Sequence, residues 1–306
     1  MAVGAVAFTA TTAFFSDTET SKNNVFTAGA IDLGVDNESY YNNKPNPGTS
    51  WAIDWDIDQI ELPDGQVLNT SRQFFNFLDL KPGDSGEDTI SLHVNNNDSW
   101  LCADVTLTKN DDVNCNEPEN DIEGANCPLT ETTPDTDMWD GDLANRIDWY
   151  WWGDDGDNVY ERCALDGQGV LINPACKDET LLPGSGSAFP NASGTFSSTV
   201  DLADANDNIW GVPGPLTGAS TRFIGKAWCF GSSSFASYPQ DGLGAVDDNP
   251  NTSPLNENNG PDARGVQCDG SSETNITQTD SMMMDVSFRA VQSRNNDGYE
   301  CEPLAS

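Results

Sequence analysis

Asp154, Asp155, Asp157, Asn158 and Glu161 gather oxygen-bearing side chains around Gly156. Hard cations take roughly six to eight oxygens at once, and a glycine turn lets carboxylates converge, so this segment is a candidate calcium site. Its spacing is not that of an EF-hand loop, and a solvated acidic hairpin turn accommodates the same residues. Asp201, Asp204 and Asp207 make a weaker candidate, for which a solvated loop is favoured. Catalysis finds less material. Zinc peptidases need several histidine ligands, and His93 is the only histidine. A Ser-His-Asp triad would have to use that same histidine, and no G-x-S-x-G elbow surrounds a serine. Among so many acids a carboxylate pair for glycoside cleavage has nothing to single it out. No glycine-rich phosphate loop is present, so nucleotide binding is not expected. No catalytic residue is assigned, no cofactor is required, and calcium is the ion these residues suit. The run Trp149-Tyr150-Trp151-Trp152 has the rings to stack on a glycan, but such runs more often form a core plus one flanking sheet face.

The charge balance narrows the partners. Fifty acidic residues stand against 13 basic ones, a formal net charge of −37 over 306 residues. That leaves no basic stripe for nucleic acid and disfavours anionic lipid. A salt-rich environment, solubility and cation binding at a cell surface all remain open. Disorder is not implied, because nine Trp and 13 Phe supply a core. The eight cysteines are Cys102, Cys115, Cys127, Cys163, Cys176, Cys229, Cys268 and Cys301. An even number, widely spaced and without a CxxC pair, points to disulfides in an exported protein rather than a zinc ribbon or a redox motif. Cys115 with Cys127, and Cys163 with Cys176, could close local loops, while the full connectivity stays undetermined. Residues 1–15 carry no charge and are too short to span a membrane, which takes about 20 apolar residues. They fit the end of a secretory h-region, with 1–13 as residual signal segment and no membrane span in the mature chain. A buried N-terminal strand is the other reading of these residues. Sequons stand at Asn37, Asn69, Asn97, Asn191, Asn251 and Asn275.

The elements that must position these residues are strands. Alternation is clear at Ile31–Val35, Ile90–Val94, Leu101–Leu107, Ile147–Trp151 and Met284–Ala290, and Phe223–Phe230 is a mainly apolar run fit for a doubly covered strand. Long helical periodicity and internal repeats are missing, which argues against a solenoid. His93 falls on the face opposite Ile90, Leu92 and Val94. The pattern predicts an all-β, antiparallel β-sandwich, elaborated as a single domain over 27–306. Polar insertions near 109–143, 173–220 and 231–279 are expected as long loops, stapled by disulfides.

Three stretches carry a family resemblance. Phe14-Phe15-Ser16-Asp17-Thr18-Glu19-Thr20-Ser21 is followed after a spacer by Phe26-Thr27-Ala28-Gly29-Ala30-Ile31-Asp32-Leu33. Leu78-Asp79-Leu80-Lys81-Pro82-Gly83-Asp84 precedes the alternating strand Thr89–Val94 and the run Asn95-Asn96-Asn97-Asp98, and Met283–Gln292 closes the chain's regular pattern. Together they resemble the TasA/camelysin family of secreted proteins with SipW-type signal peptides, over about a quarter of the chain. The resemblance implies a jelly-roll-like sandwich and an extracellular fibre or biofilm-matrix subunit that polymerises with itself by donor-strand exchange. It implies residues 14–26 as donor strand, with Phe14, Phe15, Thr18, Thr20, Val25 and Phe26 entering a neighbour, and Lys81–Asp84 as a structural turn. Location in the extracellular matrix or on the cell surface follows, with other matrix or surface components as further partners. Camelysins are also classed as metallopeptidases, a rival that the lone histidine weakens. A monomeric calcium- or glycan-binding surface module is the third reading.

Overall fold

The computed structural model describes residues 19–21, 24–28, 32–55, 60–61, 67–68, 72–113, 119–123, 137–174, 177–182, 194–235, 238–239 and 266–302. Strands are numbered in chain order. One sheet has the order β1 (Glu19–Ser21), β2 (Asn24–Ala28), β18 (Asp280–Gln292), β9 (Ser99–Asp112), β13 (Phe196–Ala203). The other has the order β12 (Thr180–Leu181), β10 (Ile147–Asp154), β14 (Ser220–Phe230), β8 (Ser85–Val94), β3 (Leu33–Tyr41), β4 (Lys44–Pro45), with β5 (Trp51–Asp54) also on β3. Three small ribbons complete the inventory: β6 (Ile60–Glu61) with β7 (Val67–Leu68), β11 (Glu161–Arg162) with β16 (Tyr238–Pro239), and β15 (Ser232–Phe235) with β17 (Val266–Asp269). Pairing within the two large sheets is antiparallel, save for β2 alongside β18.

The two sheets face each other because each strand turns its apolar set inward. Leu33 and Val35 of β3, Ile90, Leu92 and Val94 of β8 and Ile224 of β14 pack with Leu101 and Ala103 of β9 and Val286, Phe288 and Ala290 of β18. Toward the other end Trp149 and Trp228 join Leu107, Met284 and Phe230. Full burial of each Leu, Ile, Val, Phe or Met side chain among them contributes about 1.5–3 kcal/mol. Phe74, from the segment before β8, is fully buried between the layers and meets Phe288 edge-on at 6.3 Å. The expected all-β sandwich is therefore present, and the apolar residues of its alternating segments fall in strands where they are described, with Ile31 outside the described residues.

The segment Lys81–Asp84 is a tight turn. The Asp84 N–H donates to the Lys81 carbonyl at 2.8 Å, with Pro82 fixing one central position and Gly83 at φ 89° filling the left-handed one. Tyr41 and Asn42 donate to the two Asp84 carboxylate oxygens, which anchors the turn to β3 and delivers the chain into β8.

The loop boundaries need correction. Residues 109–112, expected within the first insertion, continue β9. Its polar end is held by pairing with β18 as far as Asp112 opposite Asp280. The buried Asn110 side chain there accepts the Ala144 N–H and donates to the Gly141 carbonyl. The stretch 173–220, expected as loop, contains β13, which lies at the edge of the first sheet against β9. Its inward set Val200 and Leu202 is short, and the Ser197-Ser198-Thr199 run ahead of it reads as loop composition. The stretch 231–279 contains the β15–β17 ribbon, stapled to β14 by Cys229–Cys268. Cys102–Cys301 ties the middle of the first sheet to the C-terminal segment, and Cys163 is also disulfide-bonded. Cys115, Cys127 and Cys176 lie outside the described residues, and with them both local-loop pairings.

Candidate cation site

The acidic segment lies where β10 leaves its sheet. Gly153 is required there, because a Cβ would meet the Ile209 carbonyl oxygen at 2.8 Å. Gly156 at φ 124° and Asn158 at φ 60° then fold the chain back on itself. Asp154 anchors the turn. Its Oδ2 accepts the N–H groups of Gly156 (2.9 Å) and Asn158 (3.1 Å), and its Oδ1 accepts the Trp152 indole N–H at 2.9 Å. Asp157 accepts the Val159 N–H through Oδ1, while its Oδ2 is buried with no hydrogen-bond partner. Asp154, Asp157, Asn158 and Glu161 are all buried, and Asp155 is half-buried.

A fifth carboxylate joins them from farther along the chain. Thr180 of β12 pairs with Gly153, which swings the buried Glu179 over the loop. Its two oxygens accept the N–H groups of Asp155 (3.1 Å) and Glu161 (2.7 Å). No local spacing announces Glu179. It is found only once β12 is known to pair with β10.

Five carboxylates in so little water repel one another. Burial, and next the Asp154 charge, push Asp157 up to about 9, and the same two causes push Glu179 up to about 11. The charged neighbours acting on both are acidic. Arg162 is exposed and engaged with Asp178 at 3.1 Å, outside the cluster. Beside the loop runs a cleft of about 1030 Å³, lined by Asp155, Lys177, Glu179, Trp210 and Arg222 among others.

A second acidic cluster, unforeseen in the sequence, is drawn tighter. Asp112 at the end of β9, Glu119 ahead of the single helical turn Asn120–Glu123, and Asp280 at the start of β18 bring carboxylate oxygens within 4.8 Å of one another. The loop at Asp154–Glu161 is not drawn to that closeness among the described residues. Burial pushes Asp280 up to about 8, with Asp112 and Glu119 adding to the rise and the N–H groups of Asp142 and Leu143 opposing it. Asp112 and Glu119 lie seven residues apart in the supposed first insertion, and Asp280 is far from both in sequence. The pairing of β9 with β18 sets Asp280 opposite Asp112.

The other candidates resolve differently. Asp204 closes a turn by accepting the N–H groups of Asn206 and Asp207, and its second oxygen accepts the Cys301 N–H. Cys301 is in a disulfide, so its sulfur is no metal ligand. Trp149 and Trp151 face the core, while Trp152 and Tyr150 pack with Tyr160 and Ala227 on the other face, so the aromatic run is packing rather than a sugar platform. His93 sits half-buried on the outer face of β8, between Asp36 (Nε2 to Oδ2, 2.6 Å) and Thr221 (Nδ1 to Oγ1, 3.0 Å). This cross-strand trio joins β3, β8 and β14 and offers no second imidazole to a metal. The Asn37 sequon is closed to a glycan in the fold, since its side chain is buried and donates to the Thr49 carbonyl at 2.7 Å.

Of the expected donor residues, Phe14, Phe15 and Thr18 lie outside the described residues. The backbone at Thr20 is in β1 and pairs with Val25 of β2, where Phe26 also lies. β2 in turn runs parallel to β18, pairing at Arg289 and Ala290.

The fold and these sites define an all-β sandwich that encloses clusters of carboxylates at the ends of its strands. Comparison with protein-family models, curated proteins and solved structures returns no match for the chain. No helix among the described residues is long and apolar enough to cross a membrane.

Proposed function

We propose that this chain is a secreted structural subunit of the TasA/camelysin type, which polymerises by strand donation and holds calcium at its buried carboxylates. The observation that carries the assembly reading is the edge of β18. That strand runs from Asp280 to Gln292, yet among the described residues its side away from β9 is paired only at Arg289 and Ala290. An unpaired edge accepts another strand through main-chain hydrogen bonds. The N-terminal segment already lies against that edge within one subunit. Exchange of the same contact between subunits is a head-to-tail interaction, which propagates a filament rather than closing a ring.

Electron microscopy of the mature protein at high concentration tests this reading. Filaments are expected, and removal of residues 14–28, which takes away the strand that pairs with Arg289 and Ala290, abolishes them. Full-length chains that stay globular, or truncated chains that polymerise as before, would sink the proposal. A monomeric calcium-binding surface module is the second reading, favoured by the docking of β2 on its own β18 and by the two acidic clusters. A metallopeptidase reading gains no support from a single histidine already bonded to Asp36 and Thr221.

A further inference from the structure

The apolar run Phe223–Phe230 contains one charge, Lys226, and the fold turns it into the sandwich. It is fully buried, on the same face as Ile224 and Trp228. Directly opposite on the neighbouring strand stands Asp88, also buried and on the inward face with Ile90. Lys226 Nζ lies 2.5 Å from Asp88 Oδ2. The Phe75 ring covers the amine with its centroid at 3.4 Å, and Trp151 and Phe74 stand at 5.8 and 5.9 Å. On the far side, buried Asn37 of β3 donates through Nδ2 to Asp88 Oδ1 at 3.2 Å and to the Thr49 carbonyl at 2.7 Å.

We propose that the folded protein joins Lys226 to Asp88 by an amide bond between Nζ and Cγ, cross-linking β14 to β8 inside the sandwich. Amine and carboxyl groups held side by side by a strand register have the proximity that makes an intramolecular acylation fast. Transfer of one proton from Nζ to Oδ2 across their 2.5 Å contact leaves a nucleophilic amine beside a carboxyl whose Oδ2 can leave as water. Burial lowers the Lys226 amine to about 8, against the opposing pull of Asp88. The Nζ lone pair attacks Cγ, and the Asn37 amide N–H stabilises the negative charge that grows on Oδ1. The C–Oδ2 bond breaks, and that oxygen leaves as water with the proton it received and the one Nζ gives up. One C–N bond replaces one C–O bond, nothing is oxidised or reduced, and no co-reactant is needed. The aromatic walls keep water from the product.

The test is the mass of the full-length wild-type protein, reduced and unfolded, against that calculated for the chain as purified. The expected result is a chain lighter by one water, whose protease digest holds a branched peptide linking the segments around Asp88 and Lys226. Lys226→Arg and Asp88→Ala restore the full mass, and Asn37→Ala lowers the joined fraction severalfold at a fixed time after refolding. A wild-type chain at its full calculated mass, with the two segments in separate unmodified peptides, overturns the proposal whether or not the variants fold. So does loss of one ammonia with the branch at Asn37, which would make the asparagine the acyl partner.

Discussion

Charge is buried in two regions of this molecule, under opposite conditions. Between the sheets, Lys226 meets Asp88 one to one, with aromatic rings and the Asn37 amide filling the space around them. At the strand ends, Asp154, Asp157, Glu161 and Glu179, and separately Asp112 and Glu119, are buried among other acids. A buried charge without a counter-charge is costly and either neutralises or recruits one. The interior pair carries its counter-charge in the chain until the proposed amide bond removes both charges. The acidic clusters answer with protonation, as the raised Asp157, Glu179 and Asp280 show, or with a cation from solution. The difference teaches that the net charge of −37 is not only a solvated surface. Part of it is enclosed, where solvent screening is weak.

The largest expected effect comes from unbalancing the interior. Lys226→Met leaves Asp88 buried opposite a thioether, and breaking a buried pair from one side costs about 3–5 kcal/mol. The companion Asp88→Leu in the same chain separates two accounts of the pair. Replacing a plain ion pair by apolar residues restores stability, often fully. Replacing a covalent tie does not, so the double variant is expected to unfold at lower denaturant than the wild type. Recovery to the wild-type midpoint in urea would mean that the two strands are not tied there.

Calcium should have the next largest effect, and at the acidic clusters alone. Ligand present at a hundredfold over its Kd stabilises by about 2.7 kcal/mol. A corresponding rise in Tm on moving from chelator to calcium is expected for the wild type. Asp157→Asn and Asp280→Asn each remove one raised carboxyl from a cluster, so each should lose part of that rise while leaving the chelated protein no less stable. If both variants keep the full rise, calcium binds elsewhere.

The sequence discloses these regions unequally. The alternation at Ile90–Val94, Leu101–Leu107 and Met284–Ala290 displays the sandwich, because a strand with one buried face must repeat every two residues. The loop Asp154–Glu161 is legible for the same local reason, its ligand types being adjacent in the chain. Glu179 and Asp280 are not, since only strand pairing brings the one to the loop and the other to Asp112 and Glu119. Lys226 hides in another way. Its charge interrupts an apolar run without a sign of which face it takes or that Asp88 lies opposite, and register across two strands is not written in either one. β13 escaped because its Ser197, Ser198 and Thr199 look like loop and suit an edge strand equally well.

The pH response follows from the sign of the shifts. Asp157 rises from 3.8 to about 9, Glu179 from 4.5 to about 11 and Asp280 from 3.8 to about 8 in the folded chain. An acid whose folded pKa is raised keeps its proton in the native state after the unfolded chain has lost it. Stability is therefore highest below the unfolded values and falls as pH climbs from about 4 toward the folded values, by up to about 1.4 kcal/mol per pH unit for each group. In chelator, Tm should decline steadily from pH 5 to 8. With calcium bound the carboxylates are held ionised, and the decline should flatten. A chelated protein whose Tm stays level over that range would show that these acids are not enclosed as described.

The smallest effect concerns assembly. Subunits with so large an acid excess repel one another wherever their charge is unscreened. The screening length is about 30 Å at 0.01 M salt and about 3 Å at 1 M. Filaments in chelator at low salt are thus expected to stay single, and to bundle when salt is raised or calcium is added. Calcium should act at far lower ionic strength than sodium, since it also neutralises charge at the clusters that salt reaches poorly. Single filaments that respond to both ions alike at equal ionic strength would confine calcium to screening. Bundles that form equally well in chelator at low salt would remove charge from the account of assembly and leave the two buried regions as matters of stability alone.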